Sequence, residues 1–214
     1  MSAVVWAAAL LVLLPVGFNV AFAMLASSFD YPDVLRRPTH EVLALFRDGG
    51  RRLVLLWWGF ALTAVALVPL AVLVTAALPD ADGTVRTLAT TVGVLAGVVQ
   101  FLGLVRWPFL VPYLAATSVD ASPERREAVD VVFQSFNRYL GVAVGEHLGY
   151  LFTGAWTAIV GVLVVQSSAA PSWLGVVGIV VGVLLAVCLL EFVGRGGDDE
   201  GWSVAATITP FVYI

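Results

Sequence analysis

Four polar side chains stand in apolar surroundings: Asn19, Arg106, Glu146 and His147. Ionisable groups in such runs are costly to keep, so each is a candidate for function. A cation and a carboxylate at one level can neutralise each other and fix helix register. They can also line a water-accessible cavity that binds a polar solute or relays protons. These four residues are the candidate ligand or ion-pair cluster, and both readings stay open at this stage. Other chemistries have no residues to carry them. The chain has no lysine, its eleven basic residues all being arginine, so no Schiff base to retinal or pyridoxal phosphate can form. The one cysteine, Cys188, makes a disulfide framework, a CxxC redox pair and a thiolate metal site impossible. His147 has no second histidine in an apolar run to complete a bis-histidine haem, and there is no HExxH. No GxSxG is present, and no serine is spaced to work with His147. No catalytic, metal-ligating or cofactor-binding residue is assigned.

The elements that position the cluster follow from composition. Hydrophobic residues make up 60% of the 214 residues and charged ones 12%, with a mean hydropathy of +0.97. Soluble domains carry about 25% charged residues. A bilayer-crossing helix needs about 20 mostly apolar residues, and five runs satisfy this: 4–26, 53–78, 87–117, 139–165 and 173–193. A sixth run, 202–214, is too short to cross as a helix. The expected fold is therefore an all-α polytopic transmembrane bundle, one unit over residues 1–214, with five full spans and a partial sixth. Ala21-Phe22-Ala23 imitates a signal-peptide cleavage site, but no basic residue precedes the apolar run, so the first span reads as an uncleaved helix.

Arginine placement sets the orientation. Alternate connections hold nine arginines against one, with Arg106 left inside a span. The positive-inside rule then places the N-terminus outside and the connections after spans one, three and five in the cytoplasm of a multi-pass cytoplasmic-membrane protein. Trp6, Trp57, Trp58, Trp173 and Trp202 fall near span ends, as an interfacial aromatic belt requires. Counted from cytoplasmic ends near Leu114 and Tyr139, Arg106 and Glu146 lie roughly 10–12 Å deep, and Asn19 falls at a similar level. An Arg106–Glu146 ion pair is expected from that equality. Pro108 and Pro112 free the carbonyls of Leu104 and Pro108, which can accept from arginine. Glu191, near a span end, is expected to reach water.

The two longer cytoplasmic connections read as helices. Pro38-Thr39 starts one and Gly49-Gly50 stops it, with Val42, Leu45 and Phe46 on one face and His40 on the solvated side. Such a helix is expected to lie in the membrane interface. Ser122 caps the other, with Pro123 first and Glu124 in the opening turn. Val129, Val132, Phe133 and Phe136 continue its apolar stripe into the fourth span. Neither connection carries a basic run suited to nucleic acid or a glycine-rich phosphate loop.

Gly141, Gly145 and Gly149 recur on one face of the fourth span, with Gly93/Gly97 and Gly178/Gly182 at the same spacing in neighbouring spans. Small residues at this spacing let helices approach closely, within the chain or against a partner subunit or a second copy. The segments 103–112, containing Arg106-Trp107-Pro108, and 145–150, Gly-Glu-His-Leu-Gly-Tyr, resemble a prokaryotic membrane family known only as a domain of unknown function, as does 31–36. The resemblance spans most of the chain and implies about six helices, without supplying an activity. It also implies that 210–214 should continue into a tryptophan-rich last helix. An early stop there is expected to mean a truncated chain or a half-length helix that depends on a partner.

Function follows as an expectation. The leading reading is a non-enzymatic ligand-binding, transport or sensor-like protein built around Arg106, Glu146, His147 and Asn19, embedded in a lipid bilayer. A structural or accessory subunit of a larger membrane complex is the alternative. An intramembrane enzyme comes third, for want of a nucleophile–base or metal constellation.

Overall fold

The computed structural model describes residues 2–193. The expected partial sixth span at 202–214, with Trp202, lies outside the described residues. Among the described residues every regular element is helical, and five helices are long and apolar enough to cross a membrane. They are α1 (Ala3–Phe29), α2 (Thr39–Ala76), α3 (Gly83–Thr117), the continuous Pro123–Gln166 rod, and Ser172–Phe192. The rod divides into α4 (Pro123–Phe136), a π-helical segment (Asn137–His147) and α5 (Leu148–Gln166). The last element divides into α6 (Ser172–Cys188) and a 3₁₀ turn (Leu189–Phe192).

Packing runs α1 on α2, α2 on α3, α3 on α5 and on the π segment, and α5 on α6. The outermost helix α1 buries only Ala7, Leu25 and Phe29. Its remaining apolar surface is what a lipid-facing helix presents, because hydrocarbon makes burial against protein unnecessary.

Local chemistry sets the boundaries. Asp82 caps α3 by accepting from the backbone N–H groups of Thr84 and Val85, both at 2.9 Å. Ser122 caps α4 by accepting from Arg125 N–H at 3.4 Å, with Pro123 in the opening turn. The rod then continues without a break into the fourth span, as its stripe implied. Val129 and Phe133 from that stripe are buried, whereas Val132 and Phe136 remain exposed.

The stop at Gly49-Gly50 is a sharp bend. Gly50 sits at φ 53°, ψ −149°, a region essentially reserved for glycine. The bend folds 39–49 back over the bundle, so that Val42, Leu43 and Phe46 enter the protein core at 1–2% exposure. The apolar face expected to rest in the membrane interface is thus spent on protein, while His40 stays exposed.

Beneath this cap lies an aromatic cluster. Trp57 and Trp107 stack at 4.5 Å with planes 9° apart, and Phe29 meets both edge-on at 6.1 and 5.4 Å. Offset-stacked and edge-on contacts suit the ring quadrupoles and add about 0.5–1.5 kcal/mol per pair beyond burial. Trp57 is therefore core at 0% exposure and leaves the expected belt, while Trp6, Trp58 and Trp173 are 47–63% exposed.

The glycine spacings are consumed inside the chain. A Cβ built on Gly182 would lie 2.4 Å from Ala158 N, and one on Gly154 2.5 Å from Ala186 N. The backbones of α5 and α6 are nearly in contact there, and Gly161 against Gly175 repeats the approach about two turns along. Gly93 instead admits Trp156 and Ala71, and Gly97 the α2 backbone at Ala64.

Candidate functional site

The π-helical segment is the local feature that shapes the site. In α-helix each N–H bonds the carbonyl four residues back; here the closing Leu148 N–H reaches Ala143 O, five residues back. This widened geometry is uncommon and recurs at functional positions. It also puts residues four and five apart on a shared face, which brings Gly141, Gly145 and Glu146 toward α3. The crossing with α3 is very close: a Cβ added to Gly103 would stand 2.6 Å from Gly145 Cα. Only glycine on both sides permits it.

Arg106 emerges from α3 one turn beyond that crossing and is 9% exposed. Its Nη2 donates to Asn137 Oδ1 at 3.0 Å, and its Nη1 donates to the Gly103 carbonyl in its own helix. Its Cζ sits 5.4 Å from the Trp107 ring centroid, within cation–π range. The guanidinium rests directly on Gly141, where an added Cβ would meet Nη2 at 2.6 Å.

The ion pair expected between Arg106 and Glu146 is not formed. Among the described residues no N···O contact within 4.0 Å joins them. The two side chains do lie within electrostatic range of each other, and Glu146 also lies within range of Glu191 on the 3₁₀ turn. The arginine turns instead to Asn137 and Gly103. Its carbonyl acceptor is likewise Gly103, and not the proline-freed Leu104 or Pro108. Glu146 is half-buried and accepts no hydrogen bond among the described residues. Glu191 is half-buried too, closer to the cluster than its span-end position suggested.

His147 ends the π segment, half-buried, with Nδ1 3.3 Å from the Leu189 carbonyl. It thereby ties the rod to the end of α6. Asn19 is placed elsewhere. It is exposed on α1 and donates to the Pro15 carbonyl at 2.9 Å, one turn back in its own helix. The structure brings Arg106 and Glu146 into electrostatic range, turns His147 to Leu189, and does not bring in Asn19.

Asn137 is the functional candidate that the sequence reading missed. A signal existed, since Asn137 precedes Gly141 and Gly145 by the same four-residue step. One helical turn or more deeper, Gln100 Nε2 donates to Thr153 Oγ1 at 2.8 Å across α3 and α5, with Gly149 leaving room for the glutamine stem. Among the described residues no three His, Cys, Asp or Glu side chains converge as a metal site.

A family model, the Domain of unknown function (DUF4386), matches residues 6–213. The chain belongs to that family. No curated protein and no solved structure matches the chain. In this member of DUF4386 the site holds an arginine with two neutral acceptors, a carboxylate with no hydrogen-bond donor among the described residues, and a histidine bonded toward Leu189.

Proposed function

We propose that this DUF4386 protein is a multi-pass protein of the cytoplasmic membrane, with its N-terminus outside. On this reading it binds a small polar ligand, for transport or sensing and without chemical conversion. The site is Arg106, Asn137, Glu146 and His147, near the cytoplasmic side. The nine-to-one arginine asymmetry supports the orientation.

One observation carries the binding reading. The π-helical segment holds a carboxylate within electrostatic range of a buried guanidinium, yet no N···O contact within 4.0 Å joins them and Glu146 accepts no hydrogen bond among the described residues. An uncompensated charge in such a place costs several kcal/mol. A polar solute or water entering from the cytoplasmic side relieves that cost. A register-fixing role is the second reading, favoured by the bonds of Arg106 to Gly103 and Asn137 and by its seat on Gly141.

The two separate by accessibility. Glu146→Cys, made in a Cys188→Ser background, is treated with a charged, membrane-impermeant thiol reagent in right-side-out and inverted vesicles. Modification from the cytoplasmic face alone supports a water-filled site. Reaction only after denaturation in SDS means a dry cluster, and the binding reading then fails.

A further inference from the structure

The site's charges specify a ligand class, an inference that rests on the binding reading above. Arg106 carries five N–H donors, and its bonds account for two of them, both to uncharged acceptors. The Nε–H and one hydrogen on each Nη are unused among the described residues, in a side chain only 9% exposed. A planar edge of two parallel N–H groups on a buried guanidinium matches a carboxylate in bidentate fashion. Asn137 and Gly103 hold the guanidinium plane fixed, and Gly141 backs it, so this edge is preorganised.

Glu146 supplies the opposite requirement. It has no cation within 4.0 Å and no hydrogen-bond donor among the described residues. An anionic ligand alone would satisfy Arg106 while adding repulsion at Glu146, and more at Glu191 in the same neighbourhood. A cationic ligand alone would satisfy Glu146 and leave the guanidinium uncompensated. Only a solute bearing both charges completes both.

We propose that the site takes a small zwitterion of the amino-acid type, its carboxylate on the free edge of Arg106 and its ammonium on Glu146. His147, tethered to Leu189, then links occupancy of the site to the end of α6.

The test uses the full chain purified in detergent, with thermal unfolding read against five solutes. Glycine, β-alanine and L-valine are the zwitterions. The matched single-charge controls are 3-methylbutanoate, which is valine without its ammonium, and isobutylamine, which is valine without its carboxylate. At least one zwitterion is expected to raise Tm saturably, with both controls about 30-fold weaker or inert. Arg106→Gln and Glu146→Gln are each expected to remove the response, and Asn19→Leu to keep it. If a variant fails to fold, the wild-type comparison still decides. A response to 3-methylbutanoate or isobutylamine equal to that of L-valine overturns the zwitterion while leaving a binding site in place. No response to any of the five overturns the zwitterion, while the binding reading stands or falls separately on the Glu146→Cys accessibility result.

Discussion

Replacing Gly103 by alanine tests the contact on which the whole site is built. The new Cβ would stand 2.6 Å from Gly145 Cα and 3.1 Å from the Leu140 carbonyl. Ordinary carbon–carbon contact is about 3.5–4.0 Å, so α3 and the π segment must part by about 1 Å. Both obstacles are backbone, and neither can swing aside as a side chain would. Overpacking of this kind costs about 1–3 kcal/mol. The same displacement stretches the 3.0 Å Arg106–Asn137 hydrogen bond beyond useful range. Bonds to charged groups contribute about 1.5–3 kcal/mol. Alanine returns about 0.5–1 kcal/mol through its better helix propensity. Because the two losses share one displacement they overlap, and the net expectation is about 2–3 kcal/mol. That is a fall of about 30- to 150-fold in the folded-to-unfolded ratio. Reversible unfolding in mixed micelles, titrated with SDS and followed by tryptophan fluorescence, measures it. Gly59→Ala is the control, since nothing lies within 4 Å of a Cβ there, and it is expected to be neutral or slightly stabilising. A Gly103→Ala protein within about 0.5 kcal/mol of the wild type refutes the claim that this crossing is closed by glycine alone.

The same titration checks three further expectations. Trp57→Ala should cost about 3–5 kcal/mol, because it empties the centre of the aromatic cluster, whereas Trp58→Ala should cost under about 1 kcal/mol with its ring 47% exposed; equal losses would contradict the burial difference. Gly50→Ala should lose about 1–3 kcal/mol from the strained backbone at φ 53°, ψ −149°, and a neutral result would mean that the bend can relax. Asn19→Leu should change stability by no more than about 0.5 kcal/mol and leave any ligand response intact, since Asn19 faces outward and bonds its own helix. Loss of that response would return Asn19 to the site.

What could be read from the residues alone was whatever a bilayer imposes one segment at a time. Hydrocarbon requires each crossing to be helical and about 20 residues long, so five long apolar helices were legible without any knowledge of how they meet. Local signals were equally readable: the Ser122 cap, the Pro123 start and the Gly49-Gly50 break depend on a few neighbouring atoms. Counting 1.5 Å per residue also put Arg106 and Glu146 at one depth.

Depth is one coordinate, and the tertiary structure decided the other, the direction each side chain takes around its helix. The π segment changes that direction for every residue after Asn137, and no periodicity in the sequence announces it. Arg106 therefore found Asn137 and the Gly103 carbonyl and passed by Glu146. Asn19, expected at their level, lies exposed on α1 and bonds its own helix. Trp57, adjacent to the exposed Trp58, went inward to stack on Trp107. Glycine spacing showed that some helices must touch; which backbones do, α3 with the π segment and α5 with α6, is set by packing between segments far apart in the chain.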